Sequence, residues 1–399
     1  MAAPAYPVVR LNPKANARAI RHGFPWAYDN EMVTDRRTRA LPPGAMAVLQ
    51  DGERRDLALV TVNPASRIFA RVIDRDPAAV IDRGWLEDKL TYAQGLRTLA
   101  YDQPFYRMVH AEGDGLPGLV IDRFGTAFAV QPNAAWADGR RDEIADILVA
   151  RFGARAVVLN GTGRSRKLEG LVEETRVLAG ALEGPVPVSI NGATYMADLL
   201  GGQKTGLYYD QRPNQALAAH LSRTAGSVLD VFCHVGGFSL ACLVAGAERA
   251  LAVDSSGAAL DLAGKGAEAS GVADRFETRQ GDAFAAMEEL AGEASRFDTV
   301  ICDPPAFAPN RQALQAGLRA YERVARLAAG LAAAGGILVL CSCSHAADLA
   351  EFRAACTRGI GKAGRAAQLI HTSFAGPDHP QLPQLAESGY LKALTFRLA

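Results

Sequence analysis

The residues best suited to chemistry are four aspartates, a glycine pair and a thiol. They fall in order over five segments of the second half: VLDVFCHVGGFSL (228–240), ALAVDSS (250–256), GDAF (281–284), FDTVICDPPAFAPN (297–310) and GGILVLCSCSH (335–345). The first reads as a buried strand from Val228 to Phe232, a turn at Gly236 and Gly237, then an apolar, helix-compatible stretch from Phe238 to Ala247. Glycine at such a turn lets backbone approach a ligand closely. Asp254 ends the second segment's strand about twenty residues further on, where an open α/β sheet places an acid for ribose hydroxyls. The competing reading makes it a cap for the helix that begins near Ser256. Asp282 repeats the pattern after the strand Phe276 to Gln280 and is placed to accept from an adenine amino group. Together they point to a nucleoside site at the carboxyl edge of a parallel sheet.

The fourth segment adds a strand, Phe297 to Cys302, with Asp303 at its end. Pro304 and Pro305 forbid helix or ladder continuation and stiffen the loop. A rigid D-P-P-A-F loop holds a carboxylate and the Phe307 ring where a flat base could stack and hydrogen-bond; a plain strand-ending turn, with Phe307 in the core, is the alternative. In the fifth segment a strand from Ile337 to Ser342 follows the Gly335-Gly336 break. Cys343 lies at its exit, and Cys341, two residues earlier, shares its face. Cys233, Cys242, Cys302 and Cys356 read as small buried hydrophobes. The order of the five segments is that of a transferase using S-adenosylmethionine. Hydride transfer with a nicotinamide cofactor is the weaker reading, because H-V-G-G-F stands where G-x-G-x-x-G is needed. A P-loop is excluded, since Lys204 in GGQKTG follows Gln203 rather than glycine.

The elements that position these residues span 399 residues, enough for two or three domains. Acids and bases balance at 43 each, so net charge says nothing about nucleic acid. Its distribution does: residues 1–75 hold 12 Lys and Arg against 7 Asp and Glu, and residues 76–399 hold 31 against 36. The first 75 residues read as short strands with turn signals, at Val8 to Leu11, 41–53, 57–64 and 67–74, which predicts a small β-barrel. Residues 76–185 predict an α+β middle domain. It has a helix from Trp85 to Ala100, strands at Phe105 to His110, Leu119 to Asp122 and Ala127 to Gln131, a helix from Asp142 to Phe152 and a strand from Ala156 to Asn160. The opening MAAPAYPVVR lacks a secretory apolar core. The uncharged stretch 327–344 is broken at Gly335-Gly336 and reads as helix then strand rather than a membrane span. Six cysteines without a C-x-x-C pair or zinc-type histidine spacing give no metal site and fit reduced thiols in the cytoplasm.

Beyond these readings, the chain resembles the ribosomal RNA large subunit methyltransferase I family, cytosine-C5 methyltransferases of the large ribosomal RNA. The resemblance covers nearly the whole chain. It rests on YRMVHAEGDGLPGLVIDRFG (106–125), GGQKTGLYYDQRPN (201–214), the glycine turn, DPPAF, SCS and HPQLPQLAESGYLKALTFRL (379–398). It implies a multidomain α/β protein in which a Rossmann-like class I methyltransferase domain with a seven-stranded mixed sheet occupies residues 186–399. A PUA barrel over 1–75, which KANARAIRHGFPWAYDNEM (14–32) resembles at its opening, and the middle domain precede it.

The resemblance also implies roles. Cys343 is the attacking thiolate and Asp303 meets the base edge. The turn at Gly236 and Gly237 with Asp254 and Asp282 holds S-adenosylmethionine, with Asp230, Phe232, Ser255, Ala283 and Asp303 alongside. Lys204, Thr205, Asp210 and Gln211 border the same cofactor. Large-subunit rRNA is the implied partner, Arg18, Arg21, Arg67 and Arg71 are the phosphate contacts from the barrel, Phe307 stacks on the base, and a homodimer is left open. Two departures from the family pattern bear on RNA contact: Ala306 where a basic residue is common after D-P-P, and Gln215 where an arginine is common.

Cytosine C5 is a poor nucleophile, so its methylation calls for addition of a thiolate to C6, which pushes electron density onto C5. With alanine at 306 in place of a second cysteine, a single-cysteine route follows. The base that takes the C5 proton stays open between water, Asp303 and His345. A base stacked in RNA must first leave its stack, at a cost of roughly a few kcal/mol. Two other functions compete: a methyltransferase acting on a guanine or adenine nitrogen, with Cys343 only structural, and an inactive RNA-binding ribosome-assembly factor.

Overall fold

Short alternating runs separated by turns build the first sheet. In the computed structural model, which describes residues 6–202 and 206–399, this sheet contains β1 (Val8–Arg10), β2 (Trp26–Tyr28), β3 (Ala45–Gln50), β4 (Asp56–Val62) and β5 (Ile68–Asp74). Their spatial order is β1-β3-β4-β5-β2, and the short helices α1 (Ala17–Arg21) and α2 (Arg36–Arg39) lie within the connections. A second five-stranded sheet, in the order β10-β9-β8-β7-β6, contains β6 (Phe105–His110), β7 (Leu119–Phe124), β8 (Ala127–Pro132), β9 (Ala156–Gly161) and β10 (Glu174–Gly180). Its helices are α3 (Arg83–Thr98), α4 (Ala135–Gly139), α5 (Arg141–Phe152) and α6 (Arg164–Leu168). Leu59 and Ile73 of the first sheet pack in one apolar cluster with Leu86 and Leu90 of α3 and Ile121 and Phe128 of the second. The two sheets therefore share a core, and they fall in one compact unit that also includes a segment beginning at Leu199 and Pro377–Ser388.

The other unit holds Pro185–Asp198, Gly206–Gly376 and Gly389–Ala399. It opens with a hairpin of β11 (Val186–Ile190) and β12 (Ala193–Ala197) whose turn, Asn191-Gly192, has positive φ at both residues, 51° and 80°. Asn-Gly is the favoured pair for a two-residue hairpin turn of that kind. Helix α7 (Arg212–Leu221) leads into a seven-stranded sheet ordered β15-β14-β13-β16-β17-β19-β18. Its strands are β13 (Val228–Val231), β14 (Ala250–Asp254), β15 (Phe276–Gln280), β16 (Phe297–Cys302), β17 (Ala332–Ser342), β18 (Ala367–Ser373) and β19 (Lys392–Leu398).

β13 to β17 are parallel, and β19 runs antiparallel to both β17 and β18. Central parallel strands are covered on both faces, which is why VLDV and TVIC read as unbroken buried runs. Helices α8 (Gly237–Ala245), α9 (Gly257–Ala269), α10 (Ala283–Gly292), α11 (Leu314–Leu331) and α12 (Leu349–Lys362) supply that cover. Tyr321, Val324 and Ala328 of α11 join Val300, Leu338 and Phe352 in the main core. Each fully buried large apolar side chain contributes about 1.5–3 kcal/mol.

The strand expected to begin at Ile337 begins five residues earlier. Gly335, at φ 74°, sits inside β17, and the pairing with β16 shifts between Phe297 and Thr299, so the glycine pair makes an irregularity rather than a break. Helix followed by strand, as expected for 327–344, is what the structure contains. Among the described residues no helix is long and apolar enough to cross a membrane.

Candidate active site

Successive parallel strands run outward from β13 to β14 and β15, then the chain returns to place β16 on β13's other side. Ligands in open α/β sheets bind outside the carboxyl ends at such a reversal. The loops there are those after β13, β14, β16 and β17, and they hold most of the chemistry-bearing residues.

The loop after β13 is strained. Phe232 and His234 both have positive φ, 64° and 51°, and Gly236 follows at 77°. Side chains rarely adopt this conformation, and residues held in it mark ligand clamps. Several contacts impose it. Asp230 accepts from Ser239 N at 2.9 Å, Tyr195 donates to the Gly237 carbonyl at 3.0 Å, and Asp254 accepts from His234 N at 2.8 Å. Asp230, grouped with the cofactor ligands from sequence, has no exposed surface. It holds the turn from beneath, and burial raises its pKa to about 6.

Asp254 also accepts from Ser256 N at 2.9 Å, and Ser256 itself caps α9 through Ala259 N. The carboxylate therefore braces two loops, and each oxygen retains a lone pair for a further donor. Asp282 caps α10 through one oxygen, Oδ1, which accepts from Phe284 N and Ala285 N. Ser255 is exposed beside Asp254, and Ala283 is buried in the first turn of α10.

Asp303, Asp210, Cys343 and Asp254 all act electrostatically on Tyr208. Burial raises the pKa of its hydroxyl, and the negative charge of these groups raises it further. Tyr208 also packs on His234 with ring centroids 4.9 Å apart. This tyrosine of GLYYDQR was passed over in the sequence, although its neighbours were named. Asp210 accepts from Tyr390 at 2.6 Å, and the buried Gln211 accepts from Asn214 at 2.6 Å. Lys204 and Thr205 lie outside the described residues.

Five of the six cysteines are buried, and Cys343 is partly exposed. Burial pushes the Cys242 thiol up to about 12 and raises Cys233, Cys302, Cys341 and Cys356 likewise. The Cys343 Sγ stands 4.0 Å from the Pro304 carbonyl, beside Asp303. Ser342 and Ser344 on either side are buried and hydrogen-bonded to the Tyr321 hydroxyl at 2.9 and 2.7 Å. The thiol is thus held on a fixed backbone. Phe307 packs 5.0 Å from Tyr321 and 6.2 Å from Phe284, an aromatic cluster against the core that leaves the ring half-buried. His345 is exposed.

In the first unit, Arg18 and Arg67 are exposed, and Arg21 pairs with Asp51. Arg71 corrects the sequence expectation. It is 13% exposed, bonded to Glu112 and Glu169 at 3.1 and 2.9 Å, and stacked over Trp26 at 5.6 Å. A guanidinium neutralised by two carboxylates has little left for a phosphate.

The residues fit a nucleoside-bearing donor. Asp254, half-buried at its strand end, keeps a lone pair on each oxygen for a further donor, and at the turn a Cβ on Gly237 would lie 2.6 Å from Gln215 Nε2. Fold and site together define an S-adenosylmethionine-dependent methyltransferase. The family described as S-adenosylmethionine-dependent methyltransferase matches residues 175–397, and a PUA-like domain matches residues 9–75. S-adenosylmethionine is the methyl donor of this class.

The chain is 32% identical over 395 residues to a ribosomal RNA large subunit methyltransferase I of Shewanella amazonensis, covering 98% of this chain and 99% of that one. It is 32% identical over 340 residues to a protein of the same name from Pseudoalteromonas atlantica, covering 84% and 86%. The chain belongs to the ribosomal RNA large subunit methyltransferase I family. In fold it is similar to a candidate S-adenosylmethionine-dependent methyltransferase from Streptococcus mutans, with a TM-score of 0.82 at 17% identity over 98% of this chain and all of that one. A second chain with the same TM-score, at 18% identity, was solved as a candidate methyltransferase complexed with SAH.

Proposed function

We propose that the protein methylates C5 of a cytosine in large-subunit ribosomal RNA, with Cys343 as the covalent nucleophile. The observation that carries this reading is the partly exposed cysteine just after β17, its Sγ 4.0 Å from the Pro304 carbonyl and beside Asp303, in a protein whose other cysteines are buried. Kinship with relatives named for the large ribosomal RNA supports the substrate class.

In this reading the turn from Phe232 to Gly237 cradles the methyl donor, Asp254 accepts its ribose hydroxyls, and the free oxygen of Asp282 meets the adenine amine. S-adenosylmethionine supplies an electrophilic methyl group on a sulfonium. The Cys343 thiolate adds its electron pair to C6, forming a sulfur–carbon bond, and the C5–C6 π pair becomes available at C5 to take the methyl. Asp303 meets the polar edge of the base and fixes it for attack. Loss of the C5 proton to a base restores the double bond and returns the pair to sulfur. Arg18 and Arg67, both exposed in the PUA-like region, serve as phosphate contacts.

The test is product analysis. Large-subunit RNA methylated with isotopically labelled donor, digested to nucleosides, is expected to carry the label in 5-methylcytidine. Label in a methylated guanosine or adenosine would replace this reading with base-nitrogen chemistry.

A further inference from the structure

Lys392 opens β19 and pairs with Ser342 across the ladder, at the carboxyl edge where Cys343 emerges. It is 4% exposed. Its ammonium donates to the carbonyls of Ser344, the residue after Cys343, at 2.8 Å and of Tyr390 at 2.9 Å. Among the described residues it forms no ion pair with a carboxylate, and these two carbonyls are its hydrogen-bond acceptors. A buried ammonium held only by neutral carbonyls is costly unless an anion lies close by.

The groups facing this corner decide which anion that is. Cys343 interacts electrostatically with Lys392 of β19, with the Tyr321 hydroxyl of α11 and with Tyr208, which also feels Asp303, Asp210 and Asp254. Burial pushes the Lys392 ammonium toward neutrality. Cys343 is the strongest influence in the other direction, ahead of Asp348 on the rim. A cation beside a cysteine favours its thiolate, the nucleophilic form. Lys392 brings a positive charge to this corner through its bond to the carbonyl of Ser344, next to Cys343.

We propose that Lys392 is the counter-ion of the Cys343 thiolate, a positioning and activating residue for the covalent step. The inference rests on the cytosine-C5 reading above. As the thiolate pair moves onto C6, the lysine stays protonated beside a neutral thioether. When the pair returns to sulfur, the ammonium again faces an anion, so one group assists both attack and release.

The experiment is the pH profile of iodoacetamide alkylation at Cys343 in the full-length protein, read by mass spectrometry of the peptide containing that residue. In the wild type the midpoint is expected below about 8.5, the ordinary thiol value. Lys392→Met is expected to raise it by about one pH unit or more, a roughly tenfold slower alkylation at pH 7. Lys392→Arg, which keeps the charge, is expected to retain most of the wild-type reactivity. A wild-type midpoint at or above 8.5 overturns the proposal even if the methionine variant fails to fold. So does a superimposed profile in a Lys392→Met protein that still binds S-adenosylmethionine. Failure of the cytosine reading shows instead in the labelled nucleoside, whatever the alkylation profile.

Discussion

Asp230 lies wholly inside the protein, and replacing it by asparagine separates what the site needs from what the fold prefers. Burial is the first cause of its raised pKa, and the neighbouring charge of Asp254 adds to it, while bonds from Ser239 and Phe238 pull the other way. A folded-state value of about 6 against 3.8 for the free group means that the native state binds more protons than the unfolded one between those limits. Stability contributed by the neutral form is therefore present at low pH and is lost as pH rises through the folded value. The loss amounts to about 3 kcal/mol once the group is fully ionised.

Asparagine keeps the shape and an oxygen for Ser239 N but carries no charge. Asp230→Asn is accordingly expected to match the wild type in urea denaturation near pH 4 and to be more stable by about 2–3 kcal/mol at pH 7. The same change removes a negative charge beneath the loop proposed to cradle a positively charged donor, so affinity for S-adenosylmethionine is expected to fall. Denaturation midpoints across this range, paired with calorimetric titration of the donor, read both effects. A stability difference that stays constant with pH, or a variant less stable at pH 7, would refute the reasoning.

Other perturbations follow from the same geometry. Gly236→Ala places a side chain at φ 77°, within 3.1 Å of Leu240, and is expected to weaken donor binding by about 1–2 kcal/mol, roughly five- to thirtyfold by calorimetry. Arg71→Ala leaves Glu169, whose side chain is 3% exposed, without its cation and is expected to cost about 3–5 kcal/mol in urea denaturation; a loss below about 1 kcal/mol would contradict its internal role. Replacing both Arg18 and Arg67 by alanine is expected to weaken binding of a large-subunit RNA transcript and lower the salt slope of log K by about 1–2, with donor affinity unchanged.

Much of the catalytic sheet was legible because parallel strands buried on both faces leave unbroken apolar runs. β15 and β16 begin and end where Phe276 to Gln280 and Phe297 to Cys302 were read, and the aspartates at or just after strand ends mark one edge. Residues whose role depends on long-range packing were not legible. Arg71 looks like any basic residue on a strand until the fold brings Glu112, 41 residues away, and Glu169, 98 residues away, onto it. Asp230 and Asp254 read alike as acids on successive strands, yet the first is sealed and the second half-exposed.

Lys392 gains meaning only from the antiparallel insertion of β19 beside β17, which no local pattern encodes. The β11–β12 hairpin did carry a local signal in Asn191-Gly192 between alternating apolar residues, and turn chemistry alone could have found it.

The proposed covalent bond between the Cys343 sulfur and the pyrimidine ring can be caught with a mechanism-based trap. Fluorine at C5 removes the proton whose departure releases the enzyme. Large-subunit RNA carrying 5-fluorocytosine, incubated with the protein and S-adenosylmethionine, is expected to yield a denaturation-resistant adduct that maps to the peptide containing Cys343 and disappears in Cys343→Ala. Efficient methylation of unmodified RNA by a protein that never forms this adduct, or an adduct that survives the alanine substitution, would contradict it.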